Sequence, residues 1–179
     1  PLGLLYISSF LESNGYKNEV FDSTFESRST LFKYLDREAP ELVAIYTNLM
    51  TKLNVIDLMD YIQSNLPETV IVLGGPDVTY NVPDYLKYGA DFIVIGEGEV
   101  TMLELVRSIE ARDDSHLQLE GIAYQKDGGE VVRNPSRKNI QNIDELPLPN
   151  RDGIDLFKYL KTWKDFHGQS ALNVSTQRG

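Results

Sequence analysis

The chain has 179 residues, no cysteine, and 17 Lys and Arg against 27 Asp and Glu, for a formal net charge of −10 at pH 7. That length suits one domain with an appendage, built on a core large enough to hold without covalent staples. The charge has the wrong sign for a phosphate backbone, and the missing thiols exclude disulfides, thiolate catalysis and any Cys-ligated zinc or iron–sulfur site within these residues.

Leu2 to Leu11 carries apolar side chains at helical spacing and runs into Ser13-Asn14-Gly15, a Gly-terminated helix stop. Asn18 to Asp22 reads as a short strand, Leu31 to Arg37 as a helix closed ahead of Pro40, and Leu42 to Tyr46 as a buried strand. The alternation then repeats. Val55 to Leu66 is an amphipathic helix, Val70 to Leu73 a strand leading into Gly74-Gly75-Pro76, and Val82 to Lys87 a short helix. Phe92 to Ile95 is a further strand and Val100 to Ala111 a further helix. Strands that are continuously apolar and separated by helices predict an α/β fold with a mostly parallel sheet covered on both faces.

Beyond Arg112 the composition changes. Asp113-Asp114-Ser115 is a polar break, and Gly121 to Gln125 with Glu130 to Arg133 flank Asp127-Gly128-Gly129, which predicts a β-hairpin. Asp144 to Asp152, with Pro147 and Pro149, reads as an extended strap. Leu172 to Thr176 reads as one more strand. No apolar run is long enough for a membrane span and no basic segment precedes an apolar one at the start, so a soluble, cytoplasmic protein is the expectation.

An open parallel sheet binds ligands outside the carboxyl ends of its strands. That rule selects Thr47-Asn48-Leu49, Gly74-Gly75-Pro76-Asp77 and Gly96-Glu97-Gly98-Glu99. Gly74 and Gly75 lack Cβ atoms at a strand end, which lets a flat or extended ligand approach the backbone, although a plain tight turn needs the same residues. Thr47 offers a hydroxyl there, with a helix cap or turn as the competing role. Glu97 and Glu99 suit the start of a helix, where acidic side chains meet the positive end of the dipole. As a pair they could also do acid–base work or hold a hard cation, but no third oxygen ligand is fixed by the spacing.

The two histidines sit in Asp114-Ser115-His116 and Asp165-Phe166-His167. Both open like the D-x-H-x-x-G motif that supplies an axial imidazole in many corrinoid proteins. The closing position holds Leu119 in one and Ser170 in the other, so both read as solvated loop histidines. No loop carries G-x-G-x-x-G or a Walker lysine, which disfavours a nucleotide or flavin binder.

Five segments taken in order resemble one family. They are Pro1-Leu2-Gly3-Leu4-Leu5-Tyr6, Val72-Leu73-Gly74-Gly75-Pro76, Ala90 through Glu99, Leu146-Pro147-Leu148-Pro149 and Ser175-Thr176-Gln177-Arg178-Gly179. The set is similar to the amino-terminal part of cobalamin-dependent radical S-adenosylmethionine enzymes, and within them to proteins of the anaerobic magnesium-protoporphyrin monomethyl ester cyclase type. The resemblance implies a Rossmann-like three-layer cobalamin-binding domain over residues 1–112, a β-hairpin extension over 113–143, and a strap with the first strand of a radical barrel over 144–179. It further implies a 4Fe–4S cluster and S-adenosylmethionine held by a barrel of the same polypeptide, not by these residues, and methyl transfer or another radical transformation in the whole protein.

Carried over position by position, Thr47 and Leu49 match the family's Ser/Thr-x-Leu loop near the dimethylbenzimidazole tail, and Gly74, Gly75 and Pro76 match its Gly-Gly loop beside that tail. Gly96, Glu97, Gly98 and Glu99 match the loop facing the ligand crevice. No catalytic or metal-ligating residue is assigned. In corrinoid proteins a first strand and its D-x-H-x-x-G loop precede the helix that begins at Leu2, with Gly3 standing about where the final Gly falls. The rival reading is a Rossmann-like module that has lost cobalamin and serves as a substrate-binding or docking surface.

Overall fold

The structure, a computed structural model, describes residues 2–172, and the strand expected from Leu172 to Thr176 lies outside them but for its first residue. The chain forms two compact units, one from the residues up to Asp22 together with those from Asn142 onwards, the other from Ser23 to Gln141.

The larger unit holds the sheet. Strands β1 (Leu42–Tyr46), β2 (Val70–Gly74) and β3 (Phe92–Val94) run parallel, and β4 (Ile122–Gln125) and β5 (Val131–Arg133) continue the same sheet antiparallel, in the order β1-β2-β3-β4-β5. β2 is apolar throughout, and Ile71, Val72 and Leu73 are all buried, as expected of a strand covered on both faces. The hairpin extends the sheet because β4 pairs with β3, Phe92 opposite Tyr124 and Val94 opposite Ile122. Its turn closes through the Lys126 N–H to the Glu130 carbonyl, 2.9 Å.

Helix α2 (Arg28–Glu38) leads into β1, and α3 (Lys52–Asn65), α4 (Pro76–Tyr80), α5 (Val82–Lys87) and α6 (Glu99–Ala111) lie in the connections between β1, β2, β3 and β4. Ser27 caps α2 by accepting from the Thr30 N–H at 3.1 Å, and the helix stops at Ala39 in the left-handed region ahead of Pro40. α3 buries Val55, Met59 and Ile62, spaced four and three residues apart, so one stripe meets the sheet. With Ile71, Leu73, Tyr85 and Ile93 these form one hydrophobic cluster.

In the smaller unit, α1 (Leu2–Ser13) is present where its spacing predicts it, and α7 (Leu156–His167) is an addition that the strap reading did not contain. Its signals are ordinary ones: Asp155 Oδ1 accepts from the Lys158 N–H at 2.9 Å and Gly168 ends the helix in the left-handed region. The strand expected at Asn18 to Asp22 is absent. That segment is irregular backbone, with the Asn18 amide donating to the Ser8 and Tyr16 carbonyls, both at 3.2 Å, and Asp22 accepting from the Tyr159 hydroxyl at 2.5 Å. Two apolar residues and no ladder partner among the described residues leave nothing to hold a strand there.

Ile93, on the middle strand and fully buried, anchors the larger unit. Ile93→Ala is expected to cost about 2–5 kcal/mol of unfolding free energy. Urea unfolding checks this, and a loss below about 1 kcal/mol would mean that the sheet centre is elsewhere.

Candidate functional site

The register of the parallel strands builds the site. Tyr46 stands opposite Gly74, and Gly74 opposite Val94, so β1, β2 and β3 end in one row. The three loops selected from the sequence therefore leave the sheet side by side at one edge. Thr47 to Leu49 leads into α3, Gly75 into α4, and Gly96 to Gly98 into α6.

Thr47 is sealed into this edge. Its N–H donates to the Gly74 carbonyl at 2.7 Å, and the residue is fully buried. Its hydroxyl does not cap α3. No side chain caps α3; Asn48 and Thr51 tie the turn ahead of it, where the Asn48 N–H donates to Thr51 Oγ1 at 3.1 Å and the Thr51 N–H donates to Asn48 Oδ1 at 3.0 Å. Thr47 Oγ1 has no hydrogen-bond partner among the described residues, an uncommon state for a buried polar atom.

Gly75 has φ of 111°, and a Cβ there would lie 2.4 Å from the Thr47 carbonyl oxygen. The turn and the close approach are thus both real, and both arise within the protein itself. Gly74 differs, since the nearest atom to its Cβ position is the Val94 carbonyl oxygen at 3.8 Å. Pro76 follows at the first turn of α4, where a missing N–H costs nothing.

The acidic loop divides its two carboxylates. Glu97 Oε2 accepts from the Ile140 N–H at 2.5 Å, and Glu99, in the first turn of α6, is buried. Arg137 stands near by, donating through Nε to Thr101 Oγ1 at 3.0 Å and pairing with Glu104. The backbone after the hairpin is therefore fastened to the loop and to α6, a role for Glu97 and Arg137 that the sequence reasoning missed. Among the described residues no group of three or more His, Asp or Glu is placed to hold a metal ion. Gly96 has open space where a Cβ would stand.

Four exposed apolar residues adjoin the first two loops and were also missed: Tyr46, Met50, Leu53 and Tyr80. With Leu49, 75% exposed, they leave apolar surface at the strand ends that the core does not use. The available signal was Leu49, Met50 and Leu53, three large apolar side chains within seven residues of the end of a parallel strand, where a solvated loop would carry polar ones.

The histidines lie elsewhere. His116 is half-buried, contrary to the solvated reading, and its ring meets Phe92 edge-on at 5.2 Å, at the opposite end of β3 from the loops. Its Nδ1 lies 3.2 Å from Ser108 Oγ and its N–H donates to that oxygen at 3.0 Å. Asp113 beside it is held below the usual carboxylate range by hydrogen bonds from Ser115 and Ser108. His167 is exposed and lies against Trp163 at the end of α7, not in a loop. A cavity of about 1010 Å³ opens at this far edge beside Thr69, Ala90, Phe92 and His116. Two of its polar groups are engaged within the protein: Gln63 donates to the Tyr88 and Gly89 carbonyls, and Asp91 accepts from the Ile71 N–H.

A mostly parallel sheet whose strand ends form one row, with exposed apolar side chains beside it, is the α/β arrangement in which ligands are generally bound outside the carboxyl ends of the strands. The B12 binding domain family matches residues 1–106, and the chain belongs to that family. Among curated proteins it is 30% identical over 164 residues to the uncharacterized methyltransferase PH0819 of Pyrococcus horikoshii, covering 89% of this chain and 35% of that protein. It is 29% identical over 191 residues to the anaerobic magnesium-protoporphyrin IX monomethyl ester cyclase of a Synechocystis strain, covering 100% of this chain and 36% of that one. The chain thus spans about a third of the length of these relatives. Its fold is that found in the cobalamin-dependent S-adenosylmethionine radical enzyme OxsB with aqua-cobalamin bound, at a TM-score of 0.75, 21% identity, and coverage of 83% of this chain and 21% of that one. A second likeness is to the radical S-adenosylmethionine methyltransferase TsrM of Kitasatospora setae with cobalamin and a [4Fe-4S] cluster bound, at a TM-score of 0.67, 21% identity, and coverage of 83% and 28%.

The two glycines separate in stability. Gly75→Ala places a side chain at positive φ against the Thr47 backbone and is expected to lower stability by about 1–2 kcal/mol or more. Gly74→Ala is expected to change it by less than about 1 kcal/mol. Thermal melts of both variants check this, and equal effects would contradict the geometry at Gly75.

Proposed function

We propose that the crevice at the ends of β1, β2 and β3 holds cobalamin, with Thr47, Leu49, Gly74, Gly75 and Pro76 around its nucleotide tail and Gly96, Glu97, Gly98 and Glu99 on the neighbouring side. The observation that carries this placement is the buried, unpartnered Thr47 hydroxyl at the row of strand ends. Leaving such a group unsatisfied costs about 1–3 kcal/mol, which a ligand rich in amide and phosphate groups removes by bonding to it. The exposed Tyr46, Leu49, Met50, Leu53 and Tyr80 supply apolar contact area for a large macrocycle.

Cobalamin, when bound, supplies a cobalt centre that can carry a methyl group. The chain's own residues bind and orient. The Gly74 backbone leaves room for close approach, the Thr47 hydroxyl would donate one hydrogen bond to the tail where ligand entry uncovers it, and the apolar side chains would exclude water from the edge. Gly75 and Glu97 act through the loops they hold, since each is already committed to a contact within the protein.

The relatives support a wider reading, in which this domain presents cobalamin to a radical S-adenosylmethionine barrel of the same polypeptide. The 4Fe–4S cluster and S-adenosylmethionine belong to that barrel, because no thiolate is available in these residues. Methyl transfer or another radical transformation is the activity of the whole, in the cytoplasm. No helix among the described residues is long and apolar enough to cross a membrane.

Thr47→Val separates cofactor binding from a docking module that has lost it. The isosteric change removes an unsatisfied hydroxyl, so the ligand-free protein is expected to hold or gain stability, by up to about 1 kcal/mol. Hydroxocobalamin retention on a desalting column is expected to fall at the same time. Unchanged retention by the variant would remove Thr47 from the site, and no retention by the unaltered protein would favour the docking module.

A further inference from the structure

We propose that Lys52, Asp77 and Tyr85 form a positioning clamp that sets how the starts of α3 and α4, and with them Leu49, Met50, Leu53 and Tyr80, stand beside the row of strand ends. The inference rests on the cobalamin reading of the crevice at those strand ends. Asp77 follows the Gly-Gly-Pro turn in the first turn of α4, and its side chain is only 10% exposed. Its Oδ2 accepts the hydroxyl of Tyr85, from α5, at 2.5 Å, and lies 3.7 Å from the Lys52 ammonium. Lys52 is the first residue of α3, three positions after Leu49, so it reports directly on the other loop. Its ammonium also stands 5.2 Å from the centre of the Tyr85 ring, within cation–π range. Tyr85 is 1% exposed, and burial followed by the Asp77 contact pushes its phenol above the ordinary range, so it remains a proton donor to the carboxylate.

Three helices, α3, α4 and α5, thus converge on one carboxylate. A desolvated carboxylate is a costly way to gain stability, because apolar residues of similar size fill such a space as well or better. What it provides is a fixed geometry, held two residues beyond Gly75 and at the first residue of α3. None of the three residues needs to touch the cofactor, so all are positioning residues.

The test compares Asp77→Asn, Lys52→Met and the double variant with the unaltered protein at its full natural length, measuring hydroxocobalamin affinity and melting temperature together. Each single variant is expected to weaken binding by roughly five- to tenfold while the melting temperature stays within about 3 °C. The double variant is expected to bind no worse than either single one, the non-additivity of two groups that act as a pair. Asp77→Glu, which keeps the charge, is expected to recover most of the affinity. Affinities equal to that of the unaltered protein would overturn the clamp and leave the cobalamin reading intact. Losses that are additive, or that track a falling melting temperature, would overturn it in favour of a purely structural contact. If the unaltered protein fails to retain hydroxocobalamin, the cobalamin reading fails and the clamp falls with it.

Discussion

The site depends on one backbone encounter, where the Thr47 amide donates to the Gly74 carbonyl and the Thr47 carbonyl oxygen occupies the space that a Gly75 side chain would need. A parallel ladder ordinarily ends by fraying into solvated loops. Here the ladder is carried one residue past β1 and locked by the absence of a Cβ. Two consequences follow: the strand ends stand in one row, and the Thr47 hydroxyl is buried there without a partner among the described residues.

The burial pattern around that row gives it chemical character. Core side chains such as Ile71, Leu73 and Ile93 fill the sheet from within, whereas Leu49, Met50, Leu53 and Tyr80 stand outside it at the strand ends. Apolar surface in that position favours a large, partly apolar ligand over a small polar one, which accords with membership of the B12 binding domain family. The cavity at the far edge of the sheet is instead rimmed by charged side chains such as Glu68, Asp114, Lys126 and Asp127.

Most of the sheet was legible because each parallel strand is a short, continuously apolar run closed by Gly, Pro or Asn, and because the hairpin turn is spelled out by Asp127-Gly128-Gly129. The strand read at Asn18 to Asp22 failed because propensity cannot supply a ladder partner. The helix α7 was passed over because the prolines ahead of it suggested a strap, although Asp155 and Gly168 bracket it clearly. At the site, the loops could be located from the fold rule alone, but their internal commitments could not. That Glu97 holds the Ile140 amide, 43 residues away, or that Asp77 joins Lys52 to Tyr85, depends on tertiary placement that no local pattern encodes. The half-burial of His116 between Phe92 and Tyr124 is the same kind of fact.

Amide hydrogen exchange with and without hydroxocobalamin tests the central claim most directly, because it locates the ligand without assuming an activity. The account predicts slowed exchange from Thr47 to Leu53, from Gly75 to Tyr80 and from Gly96 to Glu99, with Thr69, Asp91 and His116 unchanged. Protection confined to the far edge around His116, or no protection at any of these segments when cobalamin is bound, would contradict it.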